Sequence, residues 1–274
     1  MSYPTLRLHP RKEESVLRFH PWIFSGAIAS FSAPVEDGDL VSVVDSKGRP
    51  LGTGHFGGGS IAVRLLSFDA EEVIDRAFYK RRLEAALRLR LSCDLVRPVG
   101  SSDSPNTTYR LVHGEGDSLP GLIIDIYDRT AVVQAHSLGM HQARQTIAEV
   151  LWEVFAEAGD PVLPLEGIYY KSETTLPTRD MRELASDGFL IGHTEAAPIY
   201  ENGVRFTPDW LKGQKTGFFI DQRDNRALVA HYAKGRTVLN AFCYTGGFSI
   251  YALHAGAKRV DSLDSSAKAM YLTE

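Results

Sequence analysis

Residues Leu239 to Ile250 read LNAFCYTGGFSI. The stretch continues an apolar run, RTVLNAF, breaks at the pair Gly246-Gly247, and resumes as FSIYALHAG, whose apolar spacing suits a helix. A strand, a tight glycine turn and a helix turn backbone N–H groups and the positive helix end toward one spot, and the missing Cβ atoms let a ligand approach closely. A second strand, KRVDSLD, ends in Asp264, 18 residues beyond Gly246. An acidic side chain about there accepts hydrogen bonds from both hydroxyls of a ribose in such folds. The segment therefore reads as the opening of a doubly wound α/β domain with a nucleotide-like ligand.

The glycine spacing narrows the ligand. TGGF is not the G-x-G-x-x-G that seats a pyrophosphate, which disfavours a nicotinamide-dependent oxidoreductase, and no G-x-x-x-x-G-K-[ST] phosphate loop is present. S-adenosylmethionine carries a ribose but no phosphate, so a shorter turn suffices. The plainer alternative, a Gly-Gly packing turn, does not account for the strand, helix, strand and terminal acid around it.

The 274 residues are 43% hydrophobic and 23% charged, a soluble globular composition long enough for two or three domains. A formal net charge of −4 leaves any nucleic-acid contact to a local patch. The two cysteines, Cys93 and Cys243, make neither a disulfide framework nor a zinc site, and the nine histidines show no ligand spacing, so no metal is expected. The N-terminus lacks the apolar core of a signal peptide, and no apolar run approaches membrane length. Cytoplasmic location and no membrane partner are the expectations.

From Thr5 to Phe68, short β-like runs (TLRLH, GAIASF, DLVSVVD, IAVRLLSF) alternate with glycine punctuation, which predicts a small β-barrel over residues 1–70. Residues 71–195 are expected to hold a connecting helix and a central α+β domain. In the helix, Ile74, Phe78, Leu83, Leu87 and Leu91 recur at helical spacing while Arg81, Arg82, Arg88 and Arg90 decorate the rest. Paired strands lie in LVHGEGDSLPGLIIDIYD and TAVVQAHS, with a helix over HQARQTIAEVLWEVFAEA. The polar stretch RPVGSSDSPNTT between them and the first helix reads as a mobile loop. Glu115 and Asp117, between glycines, read as capping carboxylates of a turn rather than catalytic groups. Residues 196–274 begin with a hairpin turning at Asn202-Gly203, then a helix in DQRDNRALVAHYA, then the glycine-turn segment.

Three runs, VLNAFCYTGGFSIYAL, KGQKTGFFIDQRDNR and RLVHGEGDSLPGLIID, together resemble the bacterial large-subunit rRNA cytosine-C5 methyltransferases that carry an N-terminal PUA domain. The resemblance covers nearly the whole chain. It implies an α/β multidomain fold: a PUA-like RNA-binding barrel, a central α+β domain, and the start of a Rossmann-like class I domain that binds S-adenosyl-L-methionine. By similarity, Tyr244, Thr245, Gly246 and Gly247 form the cofactor turn, Asn240 closes the first strand, and Asp264 holds the ribose. Lys215, Thr216, Phe219, Asp221 and Arg223 match a stretch lining the methionine end, where an arginine suits a carboxylate and an aspartate an ammonium; the plainer alternative is a hairpin-to-helix connection with Asp221 as N-cap. In the barrel, Arg7, Arg11, Lys12, Arg18 and His20 are placed to meet RNA phosphates, and Trp22 to stack, although Trp22, Ile23 and Phe24 have the residue types of a core.

The family's chemistry requires a cysteine thiolate that adds to C6 of cytosine so that C5 attacks the methyl group. That cysteine and its Asp-Pro-Pro loop lie downstream of the second strand, so catalytic residues are expected beyond Glu274. Neither Cys93 nor Cys243 takes the role, and Cys243 reads as a small buried apolar residue. The 274 residues are thus expected to be an N-terminal part of a longer enzyme, inactive alone, with a homodimer allowed by the resemblance. The alternatives are a non-catalytic RNA-binding fragment and an rRNA guanine N-methyltransferase on the same scaffold.

Overall fold

A computed structural model describes residues 3–101, 103–177 and 186–273; residues 178–185 of the expected central segment lie outside it. The first sheet comprises β1 (Thr5–Leu8), β2 (Trp22–Phe24), β3 (Ile28–Phe31), β4 (Leu40–Val44), β5 (Pro50–Phe56) and β6 (Ile61–Ser67), with α1 (Glu14–Leu17) between β1 and β2. Its order is β2-β6-β5-β4-β1-β3, with β1 and β4 the parallel pair. Period-two alternation sends Leu6, Leu8, Val41, Val43, Val63 and Leu65 into one cluster. Of the three candidate core residues of the β2 run, Ile23 joins that cluster, Phe24 is exposed, and Trp22 is half-buried at the edge.

The connecting helix is α2 (Arg76–Ser92), begun by Asp75, whose carboxylate accepts the Phe78 N–H at 2.9 Å. Next come β7 (Thr108–His113), β8 (Leu122–Tyr127), β9 (Thr130–Ala135), α3 (Leu138–Gln142), α4 (Arg144–Glu157), β10 (Gly167–Tyr170) and β11 (Gly188–Gly192), the strands ordered β11-β10-β9-β8-β7. One face of this sheet packs under α2 and α4 through Phe78, Leu83, Ile124, Leu151 and Phe155. The other face, at Tyr127, Val132 and Tyr169, is covered by Ile199, Trp210, Phe218 and Ile220. The first part of the last segment, residues 199–220, therefore serves as the second layer of the central domain.

One expectation changes, and the charge on α2 is accounted for. The stretch around 97–108 is not free: Asn106 is buried and donates to the Leu95 carbonyl at 2.6 Å, while Thr107 N–H bonds the Tyr200 carbonyl at 2.9 Å and Gly203 N–H bonds that of Pro105 at 2.8 Å. Nor do the α2 arginines form an open basic face. Arg81 and Arg82 pair with Glu72, Arg88 with Glu84, and Arg90 is buried against Asp117.

The last segment contains β12 (Ile199–Glu201) and β13 (Val204–Phe206), turning at Asn202 and Gly203 with φ of 48° and 81°, the positive pair that a two-residue hairpin demands. Then follow α5 (Arg223–Ala233), β14 (Thr237–Ala241), α6 (Gly247–His254), β15 (Arg259–Leu263) and α7 (Ala267–Thr273), with β14 and β15 parallel. Leu239 and Leu263 on these strands remain 69% and 62% exposed. Among the described residues, no helix is long and apolar enough to cross a membrane.

The barrel meets the central domain where the His55 ring lies on the backbone of Gly139. Burial, reinforced by Arg64, lowers the His55 pKa from 6.5 to about 4, and its Nδ1 has no hydrogen-bond partner among the described residues. The unfolded chain therefore binds a proton first as pH falls, so folding free energy should drop between pH 6.5 and 4, by on the order of 3 kcal/mol from this group. Urea unfolding of wild type and His55→Leu across that window checks it: the slope from this group is expected to vanish in the variant.

Candidate functional site

The glycine turn is wound by its backbone. Phe242, Tyr244 and Gly246 all have positive φ, at 60°, 50° and 75°, and Gly246 N–H closes the turn on the Cys243 carbonyl at 2.9 Å. Left-handed conformations at Phe242 and Tyr244 are costly for L residues and need outside support. Asp264 supplies it: one carboxylate oxygen accepts the Tyr244 N–H and the other the Ser266 N–H, each at 2.8 Å. These backbone N–H groups of Ser266 and Tyr244 hold the Asp264 carboxyl below its usual range. Each oxygen keeps a lone pair for a further donor.

Beside the turn is a cavity of about 380 Å³, walled by Phe242 to Thr245, Gly247 and Phe248 on one side and by Lys215, Phe218, Phe219, Asp221, Gln222 and Arg226 on the other. The first N–H groups of α6 have no acceptor within their helix. Across from them, Asp221 is opposed by partial desolvation but held below the usual carboxylate range by its bond from Gln222 and by Lys215, whose Nζ lies 3.7 Å away. Lys215 also sits 4.3 Å over the Phe219 ring, and Phe219 meets Tyr244 edge-on at 5.0 Å. The wall thus offers donors, an anion beside a cation, and aromatic faces, a donor set that fits a zwitterionic amino acid joined to a nucleoside.

Of the residues the sequence selected, Lys215, Phe219, Asp221, Tyr244, Thr245 and Gly247 border this cavity. Gly246 lies within the turn, and Asp264 stands behind it. The Asn240 amide donates to Ser249 Oγ at 2.8 Å and ties the strand to the helix. Thr216 is fully buried and donates to Asp125 Oδ2 at 2.5 Å, and Arg223 pairs with Asp224 at 2.9 Å outside the cavity. Asp221 is not the N-cap; Gln222 holds that place.

Sequence reasoning missed Phe218, Gln222, Phe242, Phe248 and, above all, Arg226. Arg226 is 2% exposed, bonds both carboxylate oxygens of Glu201 at 2.7 and 2.6 Å, and stacks on Phe218 at 4.6 Å. A Cβ at Gly247 would come within 3.1 Å of its side chain. The only signal was an arginine at an otherwise apolar helical position. Cys243 is buried, and burial together with Asp264 pushes its thiol pKa up, so it is no thiolate nucleophile; Cys93 lies just past α2 and is exposed. Among the described residues, no group of three metal-ligating side chains occurs.

On the barrel, Arg7 is committed to the Ser46 carbonyl at 3.1 Å and Arg18 to the Glu14 carbonyl at 3.3 Å, while Arg11, Lys12 and His20 are exposed. Trp22 turns toward the central domain, its Nε1 donating to Glu115 at 2.7 Å. Asp117 accepts from Arg90 and from the His113 N–H at 2.6 Å and so caps the HGEGD turn as expected, whereas Glu115 accepts from the Trp22 indole instead.

Residues 6–68 match the family model of a PUA-like domain, and residues 177–271 match that of an S-adenosylmethionine-dependent methyltransferase. The fold is accordingly mixed α/β, with a PUA-like N-terminal domain and a Rossmann-like methyltransferase fold. The chain is 40% identical over 268 residues to the ribosomal RNA large subunit methyltransferase I of Shewanella amazonensis and 41% identical over 270 residues to that of Shewanella denitrificans. Each alignment covers 97% of this chain and 64% of the relative, so the chain spans somewhat under two thirds of these relatives' length. A Streptococcus mutans structure described as a SAM-dependent methyltransferase superposes with a TM-score of 0.79 at 23% identity, over 100% of this chain and 66% of that one, a likeness of fold.

Gly246→Ala tests the turn. The positive φ alone should cost roughly 1–2 kcal/mol, and the new Cβ would lie 2.6 Å from Thr273 Cγ2. Combining it with Thr273→Ser, which removes that methyl, is expected to recover the steric part in urea unfolding and leave the backbone part.

Proposed function

We propose that the polypeptide carrying this chain is an S-adenosylmethionine-dependent methyltransferase of large-subunit ribosomal RNA, acting on C5 of a cytosine in the cytoplasm. The observation that carries it is the cavity between the Cys243-Gly247 turn and the 215–226 stretch, whose wall suits the amino-acid end of the cofactor, with Asp264 behind the turn for its ribose. The Asp264 carboxylate would take the ribose hydroxyls, Asp221 the ammonium, and the N–H groups opening α6 with Lys215 the carboxylate. Bound there, the cofactor supplies an electrophilic methyl group. Phe219 and Tyr244 exclude water from that end. Phe242, 90% exposed on the rim, is placed to meet a base brought to the cavity.

The RNA substrate is supported by the matched PUA-like model and by the relatives' names. The cytosine-C5 target and a homodimer rest on the resemblance in the three sequence runs. The domain limits proposed are 1–70, 71–195 and 196–274; the matched PUA-like model at 6–68 supports the first, while the methyltransferase model at 177–271 begins inside the second. The inactive-fragment expectation draws no support from alignments over 97% of the chain. Neither cysteine of the chain takes the nucleophile's role in this reading: Cys243 is buried with its thiol pKa pushed up, and Cys93, exposed just past α2, is not part of the turn cavity's wall.

Calorimetric titration of the full-length polypeptide should show S-adenosylmethionine binding that Asp264→Asn weakens by about tenfold or more, the loss of a charge-assisted bond. Nucleoside mass spectrometry of treated, unmodified large-subunit rRNA should then show 5-methylcytidine. Methylguanosine as product would replace the target base while keeping the enzyme class, and absence of cofactor binding by wild type would remove the class itself.

A further inference from the structure

A second cavity, of about 370 Å³, lies at the junction of the barrel and the central domain. That is within the roughly 300–1,000 Å³ of small-ligand sites. Its wall is drawn from three parts of the chain: Trp22 and Arg64 from the barrel, Glu115 and Gln134 from the central domain, and Lys215, which also borders the turn cavity. The two cavities are therefore neighbours across one residue.

The wall has unspent chemistry. Arg64 is half-buried, and burial lowers its pKa while Glu115 opposes the shift; its guanidinium makes a 3.5 Å bond to the Ile61 carbonyl and, among the described residues, no ion pair. Holding a partly desolvated cation without a carboxylate in contact is unfavourable unless an anion arrives. The Trp22 indole is fixed by its bond to Glu115 Oε1 and by the His20 ring edge-on at 5.7 Å, which reduces the entropy lost when a flat ligand packs on it. Gln134 donates a 3.3 Å bond to the Lys215 carbonyl, which leaves its amide oxygen as an acceptor, as Oε2 of Glu115 is. A cation, a rigid aromatic and two acceptors suit a phosphate, a ring and an amino-bearing base edge.

We propose that this cavity binds a nucleotide of the substrate RNA adjacent to the one methylated: its phosphate on Arg64, its base against Trp22 and read by Gln134 and Glu115. The proposal rests on the RNA substrate assigned above. Lys215 then marks the step between the two nucleotides, the flanking one in the junction cavity and the target at the turn. Arg110, also in this wall, is not the phosphate ligand, because its charge is already paired with Asp125, which accepts from Nε and Nη2 at 2.8 and 2.9 Å, while Nη1 meets His113 Nδ1 at 3.2 Å.

The test uses the full-length polypeptide and an in vitro transcript of large-subunit rRNA, with affinity read by fluorescence anisotropy at several salt concentrations and S-adenosylmethionine affinity read separately by calorimetry. Arg64→Gln is expected to weaken RNA binding on the order of tenfold and to lower the slope of log affinity against log salt by about one, with cofactor affinity unchanged. Arg64→Lys should restore the slope, and Trp22→Ala should weaken binding without altering it. Unchanged RNA affinity and slope in Arg64→Gln would overturn the proposal. So would equal losses in the Gln and Lys variants accompanied by a lowered melting temperature, which would make Arg64 a packing residue. If wild type binds neither transcript nor cofactor, the proposed function itself fails, an outcome distinct from a variant-specific null.

Discussion

Asp125 lies in the middle of a sheet strand with 0% exposure, and the arrangement of both cavities follows from how it is satisfied. A carboxylate removed from water costs several kcal/mol unless hydrogen bonds and a counter-charge replace it. Arg110 provides two bonds, and Thr216 a third at 2.5 Å. Because the single Thr216 proton goes to Asp125, Tyr127, 2.9 Å away, must donate to Thr216, and the Tyr127 oxygen in turn accepts the Phe218 N–H at 3.2 Å. Burial, with Asp125 beside it, raises the Tyr127 pKa well above its ordinary value, so that proton stays in place. The central sheet thus fixes the position of residues 216–218, and with them Lys215 on one side and Phe219 on the other.

A second buried pair does the same for the last segment. Glu201 in the hairpin and Arg226 in α5 are 0% and 2% exposed, and the Tyr251 hydroxyl in α6 donates to the Glu201 carbonyl at 3.0 Å. Three elements meet on this pair, and Gly247 is small enough to let α6 begin against it. Removing either partner would strand a buried charge, a loss of roughly 3–5 kcal/mol in such pairs. The 215–226 wall and the turn wall are thus anchored to one another through a charge pair already satisfied within the fold.

This explains what the sequence disclosed. The strand, turn, helix and strand of 237–263 were legible because their signals are local: apolar spacing, adjacent glycines, a terminal acid. The Asn202-Gly203 hairpin was legible for the same reason. Thr216 was misplaced because its motif neighbours face the cavity while its own hydroxyl answers a carboxylate 91 residues away. Arg226 was invisible because its partner is 25 residues back, across a turn. The polar 97–108 stretch read as loose on composition, yet the hairpin strands that fasten it arrive about a hundred residues later in the chain.

Charge shows the limit most sharply. The net charge of −4 and the run of arginines in α2 suggest opposite things about RNA, and neither is informative alone. Arg76, Lys80, Arg81, Arg82 and Arg88 all face carboxylates, and Arg90 is spent inside the fold. Exposed pairs of this kind contribute little to stability, but each removes a cation from the field a polyanion would sense. What matters is the cation left over after pairing. Arg64, in a strand whose sequence announces only a β-run, is such a residue because the fold brings Glu115 near it but gives that carboxylate to Trp22. The positions able to meet a phosphate are therefore set by the tertiary pairing of acids and bases, and no count of lysines and arginines along the chain would have located them.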